Sequence, residues 1–281
     1  MITHYFQSRH SQGSHRVAYT EWGTAKTLQP SIICVHGLTR NGRDFDRLAN
    51  VLAKDTALYC PDIVGRGQSD WLPQSSDYNY SQYIQDIAAL LFTTQQKEVD
   101  WVGTSMGGIL GMLLAALPES PIRRLVVNDV GPFISLSALQ HILSYVAHPP
   151  DFATREEIEP YLRQTYASFG ITREQDWQHM ALHSARQKDD GRWTLAYDPT
   201  IADGLSALKE DVNFWESYDK IRCPILLLRG QNSDLLPSDV AHAMTRRGPR
   251  AKLIEIPGVG HAPALMDEQQ IGWIKDFLRS S

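Results

Sequence analysis

Long apolar runs are missing from this chain of 281 residues. Its most apolar stretch, ILGMLLAAL at 109–117, is too short to span a bilayer and reads as a buried helix. Blocks of like charge are missing too. Lys and Arg number 27 against 32 Asp and Glu, a formal charge of −5, so no nucleic-acid or anionic-membrane partner is expected. Cysteine is scarce. Cys34, Cys60 and Cys223 sit in or beside β-like runs, at no spacing that suits zinc or a redox pair. They read as reduced, buried thiols of a cytoplasmic protein. The start, MITHYFQSRH, lacks a basic region followed by an apolar one, so no secretory signal is expected. Internal repeats and low-complexity segments are likewise absent from the sequence. A monomer or homodimer is expected.

Short β-branched runs are plentiful: SIICVHG (31–37), ALYCPDI (57–63), VDWVGTS (99–105), RLVVNDVG (124–131), PILLLRG (224–230) and AKLIEIPG (251–258). Most are continuously apolar, as strands buried on both faces must be. Helical patterns lie between them. One over 41–53 places Phe45, Leu48, Val51 and Leu52 on a face. Ser81 can cap another that buries Tyr83, Ile84, Ile87, Ala88 and Leu91. A closing helix carries Ile271, Ile274, Phe277 and Leu278. Residues 3–23 suit an antiparallel hairpin at an edge. The pattern predicts an α/β fold, a mostly parallel doubly wound sheet. The alternation breaks between Pro132 and Trp215, where no convincing strand appears before RWTLAY (192–197). That interval predicts an inserted helical cap at 132–215, dividing a core of 1–131 and 216–281.

The stretch VGTSMGG carries Gly103-Thr104-Ser105-Met106-Gly107, a G-x-S-x-G pattern. Glycines there suit a very tight strand-to-helix turn that lifts the serine hydroxyl clear of the sheet. Alone the pattern is weak; flanked by a buried-type strand and an apolar helix it carries more weight. A serine alcohol needs a base, usually a histidine oriented by a carboxylate. His261, in PGVGHAP, and Asp234, in GQNSDLLP, each follow a late strand and complete the order Ser105, Asp234, His261. Asp129, in VVNDVGP, ends an earlier strand on the same side and is the alternative acid. Backbone N–H groups of Leu38 and Met106 are candidate donors to an oxyanion.

The segments HGLTRNGRDF, DIVGRGQSDW, GTSMGG, GQNSDLL and GVGHAP, in this order, resemble the α/β-hydrolase fold family, and in particular its cap-bearing serine esterases. The resemblance implies Ser105 as nucleophile, Asp234 as acid, His261 as base, Leu38 and Met106 as the oxyanion hole, and no cofactor. It implies a carboxylesterase-type serine hydrolase of small to medium esters working through an acyl-enzyme. Carbon–carbon bond hydrolysis of ring-cleavage products, thioester or lactone hydrolysis, and perhydrolysis are alternatives on the same triad. A non-turnover ligand-binding receptor is the alternative of another class. Haloalkane dehalogenases and epoxide hydrolases resemble this fold but carry aspartate at the Ser105 position.

Several residues have a plainer reading. His36 is expected to brace the oxyanion loop, and Asp62 and Arg66 to tie together DIVGRGQSDW, which lacks the lysine of a phosphate loop. Arg40 could meet a substrate carboxylate or be a solvated arginine at a helix start. His179 and His183 stand four apart, but no third ligand is evident, so no metal is expected. Among the cap aromatics Tyr145, Phe152, Tyr161, Tyr166, Phe169, Trp177 and Trp193, a few should line the substrate pocket and the rest pack.

Overall fold

The computed structural model describes residues 1–24 and 30–280. Two long strands open the chain, β1 (Ile2–His10) and β2 (Gly13–Trp22), paired antiparallel from Ile2 opposite Glu21 to His10 opposite Gly13. They are followed by β3 (Ser31–Val35), β4 (Leu58–Pro61), β5 (Val99–Thr104) and β6 (Ile122–Asn128). Helices α1 (Asp46–Leu52), α2 (Tyr80–Thr93) and α3 (Met106–Ala115) follow β3, β4 and β5 in turn.

A helical cap region is inserted after β6. It holds α4 (Leu136–Val146), α5 (Ile158–Thr165), α6 (Glu174–Ser184) and α7 (Ile201–Ser206). It also holds four strands of two or three residues each: β7 (Phe133–Ile134), β8 (Ala185–Gln187), β9 (Trp193–Leu195) and β10 (Val212–Asn213). Of these the sequence pattern foresees β9. β7 and β10 pair across the base of the insertion, and β8 and β9 pair within it. The chain then returns through α8 (Trp215–Lys220), β11 (Ile225–Gly230), α9 (Ser238–Met244), β12 (Lys252–Ile256) and α10 (Glu268–Arg279).

The main sheet has the order β1-β2-β4-β3-β5-β6-β11-β12. β2 meets β4 antiparallel, and every pairing beyond that is parallel. β3 and β11 are buried at all positions. Side chains of a strand alternate between faces, so Leu226 and Leu228 enter the core under α1 and α10 while Ile225 and Leu227 enter the opposite core with α3. This two-faced burial explains the unbroken apolar runs. The edge strand β12 is buried at Ile256 alone.

Two local expectations are corrected. Asn79, not Ser81, caps α2, its side chain accepting from the Gln82 N–H. Ala88 is exposed, whereas Asp86 and Gln82 are buried, because Ser8 and His15 of the opening hairpin bond the Asp86 carboxylate at 2.6 and 3.1 Å.

Candidate active site

The turn from β5 to α3 places Ser105. Its φ is +52°, a left-handed conformation that costs a non-glycine residue energy and persists only where its surroundings impose it. Those surroundings are backbone. A Cβ on Gly103 would lie 2.2 Å from the Gly107 carbonyl oxygen, and one on Gly107 would lie 2.0 Å from that of Val35. Both glycines are therefore required for strand and helix to approach so closely. The Ser105 N–H donates to the Asn128 carbonyl at 2.9 Å, which ties the turn to β6.

His261 follows β12. Its Nε2 lies 3.0 Å from Ser105 Oγ, and its Nδ1 lies 2.9 Å from Asp129 Oδ2. Asp129 is fully buried at the end of β6, with φ +58°. Two further donors hold its carboxylate: the Gly230 N–H at 2.7 Å and Ser233 Oγ at 2.7 Å. A buried anion without such partners would be very costly.

The expected contact between Asp234 and His261 is therefore not made. Asp234 is two-thirds exposed at the cavity rim, 3.9 Å from His141. Both aspartates end adjacent parallel strands on one edge of the sheet. Asp129, in the left-handed turn directly after β6, reaches across to His261. Asp234 lies farther along its loop and faces the cap.

The N–H groups of Leu38 and Met106 border Ser105 from the loop after β3 and from the first turn of α3. Neither has a hydrogen-bond partner among the described residues. The positive end of α3 adds to that local potential. His36 braces this loop, donating from Nδ1 to the Gly37 carbonyl at 2.7 Å and accepting the Ile63 N–H at Nε2 at 2.9 Å. It does both only as a neutral ring, and burial pushes its pKa down to about 3. Arg66, fully buried, donates to the carbonyls of Leu38 and Val64 and to the Tyr83 hydroxyl. Asp62 accepts the N–H groups of Gly42 and Gln68, and burial raises its pKa to about 6.

Arg40 lines the cavity, but its guanidinium is committed. It bonds Asp44 at 2.6 and 2.9 Å and Ser184 at 2.7 Å, and it lies over the Tyr166 ring. Asp46, His179 and His183 bring donor atoms within 4.8 Å of one another. Arg43 already neutralises Asp46 and approaches His183 Nδ1 at 3.4 Å, and its carbonyl meets His179 Nε2. A fixed cation thus stands where a metal would need to. Tyr145, Tyr161, Tyr166 and Phe169 line the cavity, whereas Phe152, Trp177 and Trp193 pack within the cap. Ser233 gave no sequence signal beyond its place in GQNSDLLP.

Such a serine–histidine–carboxylate relay, beside two free backbone donors at a strained turn, is the geometry of acyl transfer. The pattern of the alpha/beta hydrolase family matches residues 32–271. The chain belongs to that family. Among curated relatives, a Cupriavidus necator protein named 3-hydroxybutyrate-oligomer hydrolase is 41% identical over 277 residues, covering 95% of this chain and 94% of its own. Among solved structures, a putative hydrolase from Rickettsia typhi shares 31% identity and a TM-score of 0.93 over the whole of both chains. An alpha/beta hydrolase from Novosphingobium aromaticivorans shares 33% identity and a TM-score of 0.88, over 99% of this chain and 97% of its own. This α/β-hydrolase is an enzyme of the carboxylesterase type, with serine-hydrolase activity on small to medium esters. Among the described residues no helix is long and apolar enough to cross a membrane.

Proposed function

We propose that this enzyme cleaves short oligoesters of a 3-hydroxy acid through an acyl-enzyme on Ser105, with His261 as base and then acid and Asp129 as the orienting carboxylate. The observation that carries the mechanism is the continuous relay Ser105–His261–Asp129, at 3.0 and 2.9 Å. Ser105 Oγ bonds to the ester carbon as its proton passes to His261 Nε2. The N–H groups of Leu38 and Met106 receive the oxyanion. The carbon–oxygen bond to the alcohol then breaks, and the departing oxygen takes the proton from Nε2. Water repeats the sequence: its proton goes to His261, its oxygen to the acyl carbon, and Ser105 is released as the alcohol. Asp129 keeps the imidazole in the tautomer that presents Nε2 to the serine and stabilises its cationic form. Side chains, the two backbone N–H groups and water carry these steps.

The substrate class rests on the 41% identical relative, whose name specifies 3-hydroxybutyrate oligomers. Two adjoining cavities of about 340 and 460 Å³ beside Ser105 leave room for more than one such unit. In this reading the cap, taken as 132–215, closes over the ester, and the enzyme works in the cytoplasm as a monomer or homodimer. The unpaired cysteines suit a reducing compartment.

The test is hydrolysis of purified 3-hydroxybutyrate dimer and trimer, followed by release of the monomer. Wild type is expected to convert both, and Ser105→Ala to lose roughly 10⁴- to 10⁶-fold in kcat while remaining folded. Retained turnover in that variant rejects Ser105. Turnover of p-nitrophenyl esters with none of the oligomers rejects the substrate class alone.

A further inference from the structure

Two cavities meet at Ser105. The first, of about 340 Å³, is bordered by His261, Ala262 and Pro263 and opens past the exposed pair His141 and Asp234. The second, of about 460 Å³, lies behind Met106 among Ile109, Ile134, Leu205 and Phe214. Leu38, Ser105, Ile142 and Leu235 border both; His261 borders the first and not the second.

That asymmetry gives the substrate a direction. The imidazole that removes the serine proton must deliver it to the departing oxygen, so that oxygen sits within hydrogen-bond reach of Nε2. The alcohol fragment therefore leaves through the first cavity, on the His261 side. The acyl fragment, still bonded to Ser105, is left the second. Charge agrees. In an oligomer of a 3-hydroxy acid the carboxylate terminates the alcohol fragment, and a free hydroxyl terminates the acyl fragment. A carboxylate would enter the apolar second cavity at great cost without a partner. The nearby Arg66 is sealed off, with zero exposure and its donors already used.

One polar group in the second cavity is uncommitted. Tyr80 lines it, its ring held edge-on against Phe214 at 5.8 Å and Tyr83 at 6.5 Å. Its hydroxyl has no hydrogen-bond partner among the described residues. Burial pushes that phenol well above its ordinary range, so it stays a neutral donor. The ring is only partly buried, as expected where its open side is the cavity itself. A hydroxyl with no protein partner at an apolar cavity is one that a ligand's oxygen can satisfy.

We propose that the second cavity is the acyl site and that the Tyr80 hydroxyl hydrogen-bonds the 3-oxygen of a 3-hydroxyacyl group there, so that Tyr80 selects hydroxyacyl over plain acyl esters. This rests on the acyl-enzyme reading above and adds the substrate's direction and a specificity-determining contact.

The test compares methyl 3-hydroxybutyrate with methyl butyrate, which differ by the one hydroxyl, on wild type and Tyr80→Phe. The variant is expected to lose roughly tenfold in kcat/KM on the hydroxy ester and to stay within about twofold on butyrate. Equal losses on both, or none, overturn the role of Tyr80. A second variant tests the direction independently. Leu205→Trp narrows the second cavity and is expected to slow deacylation in burst experiments with p-nitrophenyl hexanoate, because the alcohol has already gone at that step. Normal deacylation with slowed acylation by bulky alcohols reverses the assignment. If wild type cleaves none of these esters, the reading beneath fails, and the inference with it.

Discussion

Asp129 and Asp234 end neighbouring parallel strands on the same edge of one sheet, yet their surroundings differ almost completely. Asp129 is sealed from solvent, in a left-handed turn, and accepts from His261, Gly230 and Ser233. Asp234 is two-thirds exposed and meets His141 at 3.9 Å. Strand order brings both loops to the site; only a fixed carboxylate with filled hydrogen-bond capacity can hold an imidazole in one tautomer. The difference teaches that which carboxylate meets the imidazole is decided by the turn that carries it.

The widest separation should come from removing each charge. Asp129→Asn is expected to lower kcat on p-nitrophenyl butyrate about 10⁴-fold through loss of the correct imidazole tautomer, and Asp234→Asn to change it by less than about threefold. Comparable losses from the two substitutions would erase the comparison. Next comes the scaffold that presents Ser105. Gly107→Ala forces a Cβ onto the Val35 carbonyl, so soluble yield and thermal midpoint should both fall steeply, with activity lost from whatever folds. A smaller effect should follow Ser233→Ala, which withdraws one donor from Asp129 and leaves the Leu236 N–H without its acceptor. A loss in kcat of roughly fivefold to tenfold is expected, with KM nearly unchanged; an unchanged kcat would show that two donors suffice.

The smallest effect is one of pH. His36 is held neutral with its pKa lowered to about 3, so the unfolded chain binds its proton first as pH falls. Its contribution is complete above about pH 6.5, the ordinary histidine value, and is lost progressively below it toward pH 3. The thermal midpoint of His36→Gln should fall less steeply than wild type between pH 6.5 and pH 4.

The core was legible in the sequence because burial on both faces of a parallel sheet demands unbroken apolar runs, and β3 and β11 have them at every position. The meeting of Ser105 with His261 could be anticipated from chemistry and chain order. The carboxylate could not, since two aspartates satisfy that order and three-dimensional reach decides between them. The burial of Asp86 and Gln82, in place of Ala88, was not legible for a related reason. They are buried by partners on β1 and β2, some 70 residues away, which no local periodicity reveals. Strands of two or three residues, such as β7 and β10, are too short to show a period at all.

The loop that holds Arg66 has a second attachment. Gly67 donates to the Ala196 carbonyl, Asp198 to that of Gly65, and the Tyr78 hydroxyl to the Asp198 carboxylate, so the segment that clasps the Leu38 carbonyl also anchors the cap. Another hem is stitched by Gly260 to Ser168 and by Ala264 to Phe169. Lifting the cap along the first hem would drag the loop of Leu38, and along the second the loop of His261. The seam between α4 and the loop after β11 is joined differently, by the exposed side chains of His141 and Asp234 at 3.9 Å.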